Sequence, residues 1–203
     1  MAEERSTATP RVLGLTGPIA CGKSTVGDIL LELGARNRID ADDVVHELMS
    51  PGTGVTARVC ETFGTEVCGP DGAINRRRLG ELVFADPVSL RRLEEIVHPE
   101  VRSIVRRRLD DLAGSPGVVI VDAVKLLQSD LVELCDAVWV VRCAPEVELE
   151  RLLRDRGMTP EEARSRLAAQ PIFEHPRVTT FIDNFKSRDA LRDQVERAWS
   201  ELL

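Results

Sequence analysis

The 203-residue chain predicts an α/β fold of three layers, α/β/α, with a parallel sheet in the middle. Three observations lead there. Arg11 to Leu15 (RVLGL) is a short apolar run that opens onto Thr16-Gly17 and then onto residues at helical spacing. Val118 to Val121 (VVIV) and Ala137 to Val141 (AVWVV) are continuous apolar runs, the pattern of strands covered on both faces. Charged, leucine-rich stretches of helical character lie between these runs.

Taken in order, residues 1–10 (MAEERSTATP) lack the apolar run of a signal peptide. They are expected to be a disordered lead to one domain over 11–203. After Lys23, the residues Val26, Ile29, Leu30 and Leu33 recur at helical spacing, with Gly34 as the C-cap. A segment ending at Ile39 is a further strand candidate, although Arg-Asn-Arg-Ile is a weak signal. Leu90 to Leu112 reads as a long charged helix. Glu146 to Arg156 is periodic through Val147, Leu149, Leu152 and Leu153. Thr159 is then a good N-cap, Pro160 suits the first helical position, and Glu162 closes a capping box. The two helices, joined at Gly157, carry Arg151, Arg154, Arg156, Arg164 and Arg166. A last helix runs from about Arg188 to Leu202.

Composition narrows the function. Net charge is −7, which argues against a general nucleic-acid binder, since that class shows a basic face. Local arginine clusters can still favour a small anion inside a cleft. No apolar run is long enough to span a membrane. The five cysteines, Cys21, Cys60, Cys68, Cys135 and Cys143, include no CxxC pair and no zinc-like cluster. Their odd number favours reduced thiols in a cytoplasmic protein.

Gly17-Pro18-Ile19-Ala20-Cys21-Gly22-Lys23-Ser24 fits G-x-x-x-x-G-K-[ST], between a strand and a helix. Such a loop turns backbone N–H groups toward phosphate oxygens, and the helix behind it adds the positive end of its dipole. Lys23 supplies a point charge for the β- and γ-phosphates, and the Ser24 hydroxyl suits Mg²⁺. Thr25 satisfies a helix-start N–H or meets the α-phosphate. Pro18, Ala20 and Cys21 occupy wildcard positions, so Gly17, Ala20, Cys21, Gly22, Lys23, Ser24 and Thr25 are the candidate nucleotide contacts.

No Asn-Lys-x-Asp guanine-reading motif is present. Instead an acidic cluster, Ile39-Asp40-Ala41-Asp42-Asp43-Val44-Val45-His46, follows the first helix. A carboxylate beside an acceptor hydroxyl can take its proton during phosphoryl transfer. Asp42 is the candidate base, with Asp40 supporting the site through Mg²⁺ waters or by orienting its neighbours. A solvated helix N-terminus is the plainer reading, and Asp43 fits it well.

VLGLTGPIACGKST followed by IDADDVVHEL resembles the dephospho-CoA kinases, a family of P-loop kinases. PGTG (51–54), FGTEV (63–67), DGAINRRRLGELVFADP (71–87), VHPEV (97–101) and IDN (182–184) match in order and spacing. The resemblance runs over nearly the whole chain from Val12. It implies a P-loop NTPase core, a helical CoA-side region over about 43–112 and a mobile lid over about 146–180. It also implies transfer from Mg-ATP to the ribose 3′-hydroxyl of dephospho-CoA, the last step of CoA synthesis. On this resemblance Asp42 takes the catalytic-base position, and His46, Arg76 and His98 lie on the acceptor side. Arg151 and the arginines after it clamp ATP phosphates, and Asn184 lies where the chain passes the adenine. Apart from the resemblance, Asp122, at the end of VVIV, reads as a metal-side acid acting through Mg²⁺ waters. Lys125, which the family pattern does not lead one to expect, is a candidate to pair with it or with the acceptor's phosphates.

Plainer readings stand beside these. His98-Pro99 reads equally as a helix boundary, and Arg76-Arg77-Arg78 as a solvated helix face. The chain departs from the family pattern at Lys125 and Gln128, at Arg154-Asp155-Arg156-Gly157, and in a short segment between Gln170 and Asn184. The other functions open to such a chain are a nucleoside or nucleotide kinase with another acceptor, or a nucleotide-binding regulator without catalysis. A monomer, or at most a weak oligomer, is expected.

Overall fold

The structure, a computed structural model, describes residues 9–64, 66–114 and 116–203, without the side chain of Arg156. All but Thr9 and Pro10 of the expected N-terminal lead therefore lie outside the described residues. The chain divides into two compact units, one of residues 1–39 with 109–203 and one of residues 40–108.

The first unit is built on five strands: β1 (Arg11–Thr16), β2 (Asn37–Asp40), β3 (Val118–Asp122), β4 (Ala137–Arg142) and β5 (Thr180–Asp183). Their order is β2-β3-β1-β4-β5, and the pairs β1–β3, β1–β4 and β4–β5 are parallel. Leu13 stands opposite both Ile120 and Ala137, which sets the register of the three central strands. Side chains alternate across a strand. Leu13, Leu15, Ile120, Trp139, Val141 and Ile182 therefore share one face. There they join Val26, Ile29 and Leu30 of α1 (Lys23–Glu32) and Leu191, Val195 and Trp199 of α8 (Arg188–Leu202) in one core. The alternate residues Val12, Val119, Val121, Val138 and Val140 are buried too. Both faces are apolar, which is why these strands read as unbroken runs.

Gly14 belongs to that second face. A Cβ there would lie 2.7 Å from Leu126 and 2.8 Å from the Cys135 sulfur. Only glycine lets the two short 3₁₀ turns, Leu126–Gln128 and Asp130–Leu134, pack this close to β1. The unit also holds α6 (Pro145–Arg156), which ends on Gly157 at φ 60°. Next comes α7 (Pro160–Ala168), opened by the expected Thr159–Glu162 capping box. The strand β5 was not foreseen.

The second unit contains α2 (Ala41–Leu48), α3 (Gly54–Phe63), α4 (Arg76–Ala85) and α5 (Pro87–Asp110). Asp40, Thr53 and Asn75 cap the first three by accepting first-turn amides. The PGTG segment is thus a turn that ends in a helix cap: Thr56 Oγ1 donates to the Ser50 carbonyl at 2.8 Å, and Thr53 Oγ1 donates to the Leu48 carbonyl. Asp86 does the same at the start of α5, accepting from Val88 and Ser89.

Two expectations need correction. Cys60 and Cys68 form a disulfide, so the thiols are not all reduced; Cys21, Cys135 and Cys143 are free and buried. The chain turns back after Gly64, and an isolated bridge pairs Cys68 with Ile74, so cysteines eight positions apart meet with Cα atoms 5.7 Å apart. In addition, His98-Pro99 is no helix boundary. Pro99 lies inside the 24-residue α5. Its missing N–H costs one helical hydrogen bond, and the residues on either side stay helical.

Candidate active site

The loop from Gly17 to Lys23 leaves the carboxyl end of β1, which has β3 on one side and β4 on the other. Open α/β sheets bind their ligands at such a place. Gly17 has φ 153° and Gly22 φ 97°. A Cβ at Gly17 would collide with the Val141 carbonyl, and one at Gly22 with the Asn184 amide. Gly22 is also the N-cap of α1, and it has no side chain with which to fill the first-turn amides. The first turn of α1 holds no acidic residue either, so the positive end of the helix is left for an external anion.

Four side chains tie the loop's main chain from outside it, the weakest being Cys143, whose Sγ donates to the Ala20 carbonyl at 4.0 Å. Arg151, on α6, donates from Nη1 to the Ala20 carbonyl at 2.8 Å. Asn184, just past β5, donates from Nδ2 to the Cys21 carbonyl at 2.8 Å, and its own N–H is fixed on the Arg142 carbonyl at 2.7 Å. Gln170, past α7, accepts from the Ile19 N–H at 2.5 Å. Gln170 also donates to Glu148 at 3.2 Å. Burial pushes the Glu148 carboxyl above its usual range, against the Gln170 and Cys143 hydrogen bonds and the Arg151 charge, which pull it down. With the Ala20 and Cys21 carbonyls bound to donors, their negative ends are kept off any phosphate in the loop.

Lys23 and Asp122 come together as an ion pair. Asp122, at the end of β3, is fully buried, and its second oxygen accepts from Arg38 of β2, through Nε at 2.9 Å and through Nη2. Arg38 also reaches Asp28 at 3.4 Å. Its guanidinium lies over α1 at Gly27, where a Cβ would stand 2.8–3.0 Å from three of its atoms. Ser24 is exposed and Thr25 half-buried. Cys21 is fully buried, and burial pushes its thiol up to about 12. It is a packing residue under the loop, and the helix-start setting does not activate it.

Within the second unit, Asp40 accepts from the amides of Asp42 at 2.9 Å and Asp43 at 3.3 Å. It thereby fixes the turn that carries Asp42, which is exposed. His46 is exposed, and its carbonyl accepts from Arg76 Nη2 at 3.3 Å. His98 is half-buried in mid-α5, and in the first unit Lys125 occupies the N-cap position of the 3₁₀ turn after β3 without a side-chain capping bond. Of the arginines carried by α6 and α7, Arg151 meets the loop, whereas Arg154 is exposed and paired with Glu150 and Asp155. The side chain of Arg156 is outside the described residues.

Arg38, Gln170 and Glu148 escaped the reading of the sequence. A charged residue inside a four-residue strand, leading straight into the acidic cluster, was the one signal for Arg38. The departure at Gln128 also has a role: its side-chain amide donates to the Ile172 carbonyl at 2.6 Å and ties down the chain past α7. No helix among the described residues is long and apolar enough to cross a membrane.

Comparison with known proteins bears out the fold and the family resemblance. The sequence profile of the dephospho-CoA kinases matches residues 11–186. A dephospho-CoA kinase of Symbiobacterium thermophilum is 45% identical over 193 residues, 93% of this chain and 80% of that protein. One of Streptomyces avermitilis is 44% identical, over 94% of this chain and 93% of its own. Among solved structures, a Thermus thermophilus protein at 29% identity superposes with a TM-score of 0.70, covering 96% of this chain and 98% of that one. A Campylobacter jejuni dephospho-CoA kinase, at 24% identity and a TM-score of 0.60 over 96% and 98% of the two chains, shares the fold. The chain therefore belongs to the dephospho-CoA kinase family, whose members phosphorylate dephospho-CoA in the last step of CoA biosynthesis.

Proposed function

We propose that this chain moves the γ-phosphoryl group of Mg-ATP to the ribose 3′-hydroxyl of dephospho-CoA and releases ADP and CoA. The observation that carries the proposal is the loop itself. An uncapped helix start, Lys23 at its base and two outward-tied carbonyls make a cradle for a polyphosphate. Gly17, Ala20, Cys21, Gly22, Lys23, Ser24 and Thr25 bind the phosphates, and Asn184 fixes the loop on the adenine side. Arg151, already anchored on the loop, supplies positive charge to the transferring group. The segment over about 146–180 serves as the lid.

Asp42 accepts the proton of the 3′-hydroxyl as its oxygen bonds to the γ-phosphorus and the bond to the β-phosphate oxygen breaks. The turn capped by Asp40 suits this role, because it holds a carboxylate in solvent reach on a fixed backbone. His46, Arg76, His98 and Lys125 receive the acceptor, with Arg76 braced on the His46 carbonyl. The Ser24 hydroxyl and the Asp122 carboxylate are hard oxygen donors of the kind Mg²⁺ takes, Asp122 through water. When bound, Mg²⁺ neutralises charge on the β- and γ-phosphate oxygens. We place the protein in the cytoplasm as a monomer, or at most a weak oligomer, acting on these small molecules and on neither nucleic acid nor membrane.

The deciding experiment offers purified protein and Mg-ATP dephospho-CoA, adenosine, CMP and shikimate in separate reactions and follows ADP release. Turnover with dephospho-CoA is expected. Preference for another acceptor overturns the acceptor assignment, and no turnover with any overturns the kinase.

A further inference from the structure

The buried carboxylate beneath the loop has one cation more than it needs. Asp122 accepts from Lys23 on one oxygen and from Arg38 on the other, and its side chain is fully buried. Lys23 and Arg38 are 13% and 18% exposed at their side chains. Asp28 at 3.4 Å is the other acidic partner of Arg38, and it is mostly in solvent. Lys23 is the residue that the phosphate loop directs to a triphosphate. In the structure it is on Asp122 instead. Drawing it away would strip a buried charge of its partner, which is strongly unfavourable when no second partner exists.

We propose that Arg38 is a positioning residue for ATP: it stays on Asp122 and balances that charge while Lys23 moves to the phosphates. The geometry suits a permanent partner. Arg38 engages Asp122 through two nitrogens of a planar fork, a more directional hold than the single ammonium of Lys23. Its place is reserved by Gly27, since any side chain at that position of α1 would meet the guanidinium. Lysine, a flexible point charge, is the partner suited to leave. With Arg38 absent, Lys23 is the one remaining cation in close contact with Asp122 among the described residues and is held back from the nucleotide. Removing the carboxylate as well should free it again.

This inference rests on the ATP-binding reading above, and the test separates the two. Binding of ATP is measured calorimetrically in EDTA, so that any role of Asp122 toward a metal does not enter. Arg38→Ala should raise the Kd about tenfold. Arg38→Ala with Asp122→Asn should return it to within about threefold of the parent, because no buried carboxylate then retains Lys23. Arg38→Lys, which keeps a cation beside Asp122, should bind nearly as the parent does. An unchanged Kd in Arg38→Ala overturns the proposal. So does a double variant as weak as the single one, since Arg38 would then act through packing. If Arg38→Ala does not fold, Asp122→Asn alone decides. Binding at least as tight as the parent supports the release of Lys23, and weaker binding overturns it. A parent protein that binds no ATP overturns the kinase reading and this inference with it.

Discussion

Arg151 donates to the carbonyl of Ala20, and Ala20, at φ 61°, is the one non-glycine residue with positive φ among the described residues. An alanine pays a steric cost in this left-handed conformation, about 1–2 kcal/mol relative to its ordinary backbone regions. The hydrogen bond helps to hold it there.

Ala20→Gly should therefore be neutral or stabilising, by up to about 1 kcal/mol once the extra freedom of the unfolded chain is counted. At an ordinary helical site the same change costs about 1 kcal/mol. Urea unfolding measures the difference, and a loss above 1 kcal/mol would show that Ala20 carries no strain.

Arg151→Ala should cut kcat with dephospho-CoA about 10²-fold or more, because it removes a charged donor from the transferring group. Arg154→Ala, a change at a solvent-paired arginine, should stay within about threefold. Steady-state kinetics on both variants checks the contrast. Equal losses would take Arg151 out of its assigned role.

Asp42→Asn should lower turnover about 10²-fold or more while ATP binding is kept, as loss of a general base requires. Lys23→Ala should weaken both. Weaker ATP binding at unchanged kcat in Asp42→Asn would move that carboxylate from the acceptor to the nucleotide.

Glu148 gives a pH signature. Its folded carboxyl titrates above the ordinary range because of burial, so folding favours the protonated form. The folded state then holds more protons than the unfolded one, and stability falls as pH rises above about 4.3, the unfolded value. Glu148→Gln should flatten that part of the curve and gain stability at pH 7 relative to pH 4. Thermal unfolding across pH 4–8 tests it, and an unchanged slope would show that another group sets it.

The Cys60–Cys68 bond predicts three reactive thiols out of five when the chain is unfolded without reductant. Closing so short a loop contributes about 2–3 kcal/mol by chain entropy. Cys60→Ser should lose about that much, and a titration showing five thiols would remove the bond.

The central strands were legible because each is apolar on both faces, a pattern that needs no partner to interpret. The capping box at Thr159 and the stop at Gly34 were legible because their chemistry is local. β2 was faint because Arg38, which breaks its apolar character, is there for Asp122, 84 positions away. β5 was missed because Thr-Phe-Ile-Asp is four residues long and holds one fully buried side chain, Ile182. Pro99 suggested a boundary because a local rule was applied where the packed valines of α5, Val97, Val101 and Val105, outweigh it. At the site, Lys23, Ser24 and Asp42 stood out through motif spacing. Gln170 and Glu148 act on the loop through side chains distant in sequence, and no spacing announces such contacts.

Cys21 has a consequence for chemical intervention. A nucleotide loop that contains a cysteine invites electrophilic inhibitors, yet this sulfur faces the core, is fully buried and holds its proton to about pH 12. Covalent warheads aimed at the ATP cradle would find no thiolate there. Alkylation at Cys21 would report the moments when the cradle itself comes apart.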